Sequence, residues 1–112
     1  MRTIFDLEEV RSAIRAGRLR WRAHALERLL ERHIGRGHVL WTLFHGEVIE
    51  EYPSSRPYPA ALVWGKPEGK VLHVVVAYAT QSKEAYVISA YEPNKDRFEE
   101  DFRARRQTKK DE

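Results

Sequence analysis

Val71-Leu-His-Val-Val-Val-Ala-Tyr-Ala-Thr80 is the stretch on which the fold turns. It is dominated by β-branched and aromatic residues, which suit a pleated, packed surface. Around Val74–Ala77 it is apolar on both faces, and a strand with two apolar faces belongs in the middle of a sheet. His73 shares a face with Val71 and Val75, whereas Tyr78, an odd number of residues away, faces the other side.

Working outwards, Lys66–Lys70 (KPEGK) reads as a turn and Ala60–Gly65 as the strand before it. On the other side Gln81–Lys83 is a short turn, and Glu84–Glu92 is a strand that Pro93 ends. Residues 53–59 (PSSRPYP) form a loop, because prolines exclude a central strand. Glu47–Tyr52 (EVIEEY) is a further strand. Four strands joined by short connections favour an antiparallel meander.

Before Gly46 the apolar period changes from 2 to 3.6. Asp6–Ala16 reads as a short helix, with Asp6 as cap, Glu9 three residues on, Leu7, Val10, Ala13 and Ile14 as the apolar stripe, and Gly17 as the stop. Residues 18–22 (RLRWR) read as a basic linker. A second helix is expected over Ala23–Ile34, broken by Gly35 and Gly37, and a third over His38–His45. After Pro93, Asn94 can cap a last helix on which Phe98 and Phe102 would pack back on the sheet. The expected class is α+β: N-terminal helices on one face of a four-stranded antiparallel sheet, with a C-terminal helix. The chain of 112 residues allows one domain, residues 1–106, followed by a polar tail, 107–112.

Composition narrows the function. Lys and Arg outnumber Asp and Glu by 20 to 17, a net charge of +3, which permits a nucleic-acid partner without requiring one. With no cysteine, disulfides, thiolate catalysis and Cys-ligated zinc are excluded. No apolar run approaches the ~20 residues of a membrane span, and the acidic start (Asp6, Glu8, Glu9) is unlike a signal peptide, so a cytoplasmic protein with no membrane partner is expected. The histidines lack the spacing of a metal site, and no Gly-rich phosphate loop or G-x-S-x-G motif is present. Neither metal nor cofactor is expected.

The helix His24-Ala-Leu-Glu-Arg28-Leu-Leu-Glu-Arg32 has two sides. His24, Arg28 and Arg32 fall on one, at about 100° per residue, and Leu26, Leu29, Leu30 and Ile34 fall on the other, which needs a core to lie on. Like charges four apart repel by a few tenths of a kcal/mol, so the row is better with an anion above it. It is equally a solvated face in which Glu31 pairs with Arg28 and Glu27 with His24. His73 is either a satisfied core residue or a titratable group held on a rigid strand. Tyr52 and Tyr91 are packing residues or base contacts. Arg56 and Tyr58, in a proline-stiffened loop, suit a phosphate or a base as well as an ordinary surface.

The segments HALERLLER, GEVIEEYP with RPYP shortly after, LHVVVAY and YEPNKDRFEEDFRARR together resemble a small bacterial family, the domain of unknown function 4258. That family is grouped by fold with the RelE/ParE and BrnT toxins of toxin–antitoxin systems. The resemblance covers residues 20–106. It implies a RelE-like architecture with a basic cleft, an RNA-cleaving toxin of type II, and a cognate antitoxin, sometimes a zinc-finger protein of the YgiT type. By motif, His24, Arg28 and Arg32 correspond to the family's His-Ala-x-x-Arg-x-x-x-Arg helix, and Glu47, Tyr52, Arg56 and His73 to its strand and loop signature. Ala23 departs from the Ser or Thr cap of many relatives, and HIGRGHVLWTLFHG is more aromatic than usual.

Two functions follow as expectations. One is a metal-independent endoribonuclease, with His24 and His73 as base and acid and with Arg28, Arg32, Tyr52, Arg56 and Tyr91 contacting RNA. The other is a non-catalytic module whose Arg-rich helix face holds an acidic partner. A third possibility is structural: His24 and the arginines form an internal salt-bridge network that closes the helices onto the strands through Glu47 or Glu92.

Overall fold

The structure is a computed structural model and describes residues 5–93. Helix α1 spans Leu7–Arg15, strand β1 Leu19–Trp21, helix α2 Ala23–Arg32, helix α3 Arg36–His45, and strands β2 to β5 span Glu47–Tyr52, Ala60–Gly65, Leu72–Ala79 and Glu84–Tyr91. The expected last helix, with Phe98 and Phe102, and the polar tail lie outside the described residues.

The sheet has five strands, in the order β1-β5-β4-β3-β2. The four expected strands form the antiparallel meander, with Val74 central as its two apolar faces require. The fifth corrects the reading of residues 18–22 as a linker: Leu19, Arg20 and Trp21 pair in parallel with Ala85, Tyr86 and Val87. Three residues carry too little alternation to register as a strand. Leu19 and Trp21 nonetheless pack on the core, with Arg20 between them on the other face.

The helices lie on one face. Val10 and Ala13 of α1, Ala25 and Leu29 of α2, and Val39 and Leu43 of α3 join Ala61, Val63, Val74, Val76, Tyr78 and Val87 in the core. One-residue bulges on β2 and β5 shift the alternation, so that Ala85, Val87 and Ala90 all point to that face. Arg11 ties α1 to the end of α3, donating from Nε to the Leu43 carbonyl (2.8 Å) and from Nη2 to the Gly46 carbonyl (2.9 Å), which satisfies helix-end acceptors.

Helix ends differ from the sequence reading in one informative place. α1 stops where expected: Gly17 takes φ 75, and Arg18 N–H donates to the Ala13 carbonyl (2.7 Å). α2 stops at Arg32, before the glycines, because His33 takes the left-handed conformation (φ 58). His33 N–H then donates to the Leu30 carbonyl (3.2 Å) and Ile34 N–H to the Leu29 carbonyl (2.9 Å). This is the Schellman arrangement, with Ile34 folded back towards Leu29. α3 accordingly starts at Arg36 rather than His38.

Candidate nucleic-acid interface

On the sheet face away from the helices, register sets the relief. Tyr52 on β2 is opposite Ala60 on β3, Ala60 opposite Ala77 on β4, and Ala77 opposite Tyr86 on β5. Two alanines between two tyrosines leave a trough. Its floor is Ala60, Val75, Ala77 and Ile88, and its volume is about 340 Å³. Tyr52, Ser55, Arg56, Pro57 and Tyr58 line it from the β2–β3 side, and Arg22 and His24 line it from the start of α2.

The walls are ordered by ring contacts and charged pairs. Tyr58 stacks on Tyr86, with centroids 5.4 Å apart and planes at 15°, and the Arg22 guanidinium sits 5.1 Å from the Tyr86 ring centre. Tyr86 donates from its hydroxyl to Glu84 Oε1 (2.8 Å), while Arg20 donates from Nε to Glu84 Oε2 (3.1 Å). The Tyr86 hydroxyl, and after it Arg20, hold the Glu84 carboxyl below its ordinary value. The same bond to Glu84 pushes the Tyr86 phenol up. Tyr52 donates to Glu50 Oε1 (2.6 Å). Arg56 donates to the Ser54 carbonyl of its own loop (3.0 Å), and the Arg56–Pro57 peptide is cis.

Of the residues singled out in the sequence, the structure brings three together here: His24, Tyr52 and Arg56. His24 is a rim residue, its side chain 92% exposed and 3.6 Å from Glu27. The other candidates lie elsewhere. His73 is 0% exposed, in register with Trp64 and Tyr91 and edge-on to the Tyr91 ring at 5.5 Å. It does not meet His24, and its burial leaves it packing rather than reaching a substrate. Arg32 donates from Nη1 to the Ala90 carbonyl (2.8 Å), on the part of β5 that the short β1 does not pair. This closes α2 onto the sheet through a carbonyl, not through Glu47 or Glu92, and Glu92 pairs with Lys70 (3.1 Å). Arg32 and Tyr91 share a separate depression with Ile34 and Glu92. Arg28 lies 4.0 Å from Glu31 on the exposed side of α2 and does not line the trough. The row of cations is therefore divided between the rim, a neighbouring carboxylate and the sheet.

Sequence reasoning missed Arg22, Tyr86 and the two alanines. Arg22 fell in the supposed linker. The alanine pair could have been found by aligning the four expected strands, since Ala60 and Ala77 are small residues between tyrosines.

Chemically, the trough offers an apolar floor, tyrosine rings and two guanidinium groups. Among the described residues no group of three or more His, Asp or Glu side chains is placed to hold a metal ion, and no helix is long and apolar enough to cross a membrane. No curated protein and no solved structure matches the chain. A family model described as "Domain of unknown function (DUF4258)" matches residues 21–92, which include every residue lining the trough. The chain belongs to that family.

Proposed function

We propose that the trough binds single-stranded RNA, in a toxin-like protein of RelE-like arrangement. The observation that carries this reading is an alanine floor lined by Tyr52 and Tyr58 together with two guanidinium groups, those of Arg22 and Arg56. A nucleobase is a flat ring that stacks on apolar and aromatic surfaces, and its phosphates are anions a guanidinium can hold. A trough of about 340 Å³ with two lining arginines suits a single base rather than a duplex, which would need a broad basic surface.

On this reading cleavage runs without a metal. The ribose 2′-oxygen attacks the adjacent phosphorus, the bond to the 5′-oxygen breaks, and a cyclic phosphate forms. His24 at the rim accepts the proton of the 2′-hydroxyl, solvent water supplies the proton that the departing 5′-oxygen takes up, and Arg22 and Arg56 offset charge on the phosphate. His73 has no part in it. On this reading a small adjacent gene encodes the antitoxin.

The test has two arms. Binding of a fluorescent single-stranded RNA is measured with Arg22→Ala and Arg56→Ala, and cleavage is followed in EDTA with His24→Ala. Wild-type protein that fails to bind RNA rejects the proposal. Cleavage by His24→Ala at the wild-type rate rejects the role of His24 alone. Expression that arrests growth, relieved by the adjacent gene, supports the toxin reading.

A further inference from the structure

We propose that the aliphatic side of α2, with the turn into α3, docks a partner protein through an amphipathic helix that carries leucine-like side chains next to a carboxylate. The starting observation is Leu30. The sequence places it with Leu26, Leu29 and Ile34 on the side that seeks a core, yet only Leu29 and Ile34 are buried, and Leu30 is 79% exposed. The cause is geometric. α2 rests on β5, the strand next to the short edge strand β1, and Leu30 is about 100° further round the helix than Leu29. The apolar stripe is wider than the surface under it.

One exposed leucine is ordinary. Here it forms the rim of a groove of about 340 Å³ lined by Leu26, Leu29, Leu30, Ile34, Gly35 and Arg36. Leu26 and Leu30 are four apart on α2, the spacing of a helix ridge against which a second helix lies, and Ile34, folded back beyond His33, closes the end of the groove.

Charge selects the occupant. Among the described residues lining the groove Arg36 is the only charged one, and its guanidinium sits 5.8 Å from the Trp21 ring centre. α3 starts at that residue with no side-chain cap and no acid in its first turn, so the positive end of its dipole adds to the guanidinium. The carboxylates of α2 are turned to their own helix, Glu27 to His24 and Glu31 to Arg28. Arg36 therefore awaits a carboxylate from outside. A second copy laid antiparallel across Leu30 would set the flank that carries Glu27 and Glu31 against the same flank of the other copy, a like-charge contact. RNA would meet aliphatic walls with a single cation.

The test uses the full chain, labelled with nitrogen-15, and a synthetic helical peptide with leucines on one face and glutamates on the other, beside a scrambled peptide of the same composition. The patterned peptide is expected to shift the amides of Leu26, Leu30, Arg36 and Gly37 saturably. Leu30→Asp and Arg36→Glu are each expected to weaken it by at least about tenfold, with the RNA affinity of the trough unchanged. Failure of RNA binding in wild type bears on the proposed function and leaves this surface standing. No shift, equal binding of the scrambled peptide, or undiminished binding by both variants overturns the proposal. So does a wild-type dimer in sedimentation that Leu30→Asp separates, or an oligouridine that shifts the same amides.

Discussion

Ala60 and Ala77 stand opposite each other on β3 and β4, and this pair is the reason a trough exists. On the same face the next pairs along are Leu62 with Val75 and Trp64 with His73, which fill the surface that the two methyl groups leave low. Tyr52 and Tyr86, one strand further out on each side, stand as its posts.

Filling that space is the most direct check. Ala77→Leu places an isobutyl group in the trough, and RNA affinity is expected to fall by more than about tenfold. Overpacking a filled core costs about 1–3 kcal/mol. Because the added group enters a void, the loss of stability is expected at or below about 1 kcal/mol. Fluorescence anisotropy and urea unfolding report the two quantities. Full affinity in a well-folded variant would place the RNA site elsewhere.

Salt dependence separates the arginines. Each phosphate contact to a single strand contributes about 0.7 to the slope of log affinity against log salt. Arg22→Ala and Arg56→Ala are each expected to reduce the slope by about that amount. Arg28→Ala is expected to leave it unchanged, since Arg28 faces Glu31 outside the trough. A slope that responds to Arg28 as strongly as to Arg22 would return the row on α2 to the binding surface.

Much of this was legible in the chain. Alternation and its absence located β2, β3, β4 and β5, and the doubly apolar run around Val74 placed β4 at the centre. β1 was not legible, because Leu19–Trp21 is held by its parallel pairing with β5 rather than by a pattern of its own. Helix periodicity put His24, Arg28 and Arg32 in one row but could not say what each would meet. Arg32 found the unpaired end of β5, a feature that exists only because β1 is short. His73 looked chemically suggestive in one dimension and proved to be fully buried, edge-on to Tyr91.

His33 offers a stability test with no link to binding. A non-glycine residue in the left-handed region costs on the order of 1 kcal/mol, and His33 holds φ 58 while its side chain lies exposed. His33→Gly removes the Cβ clash and adds chain entropy to the unfolded state, a smaller opposing effect. A net gain of about 0.5 kcal/mol is expected in denaturant unfolding. A loss would mean that the imidazole makes a stabilising contact at the end of α2.

The wall of the trough should be sensitive to pH on both sides of neutrality. Glu84 has its folded value below the ordinary 4.5, first through the Tyr86 hydroxyl and then through Arg20. Its contribution to stability is therefore complete above the unfolded value and lost as pH falls through the depressed folded one. Tyr86 is raised above 10.0 by the bond to Glu84, so its share is complete below the unfolded value and lost as pH rises through the raised one. Glu84→Gln keeps an acceptor but removes the charge. It is expected to flatten the acid limb of stability against pH and to bring Tyr86 ionisation back towards 10.0 in an ultraviolet titration. Tyr78, raised chiefly by burial, should not move, which gives the titration an internal reference. Tyr86 carries the stacks of Tyr58 and Arg22, so the same variant should weaken RNA at neutral pH only as far as that ring loosens. An unchanged acid limb and an unchanged Tyr86 titration would show that Glu84 and Tyr86 act independently and that the wall is ordered by stacking alone.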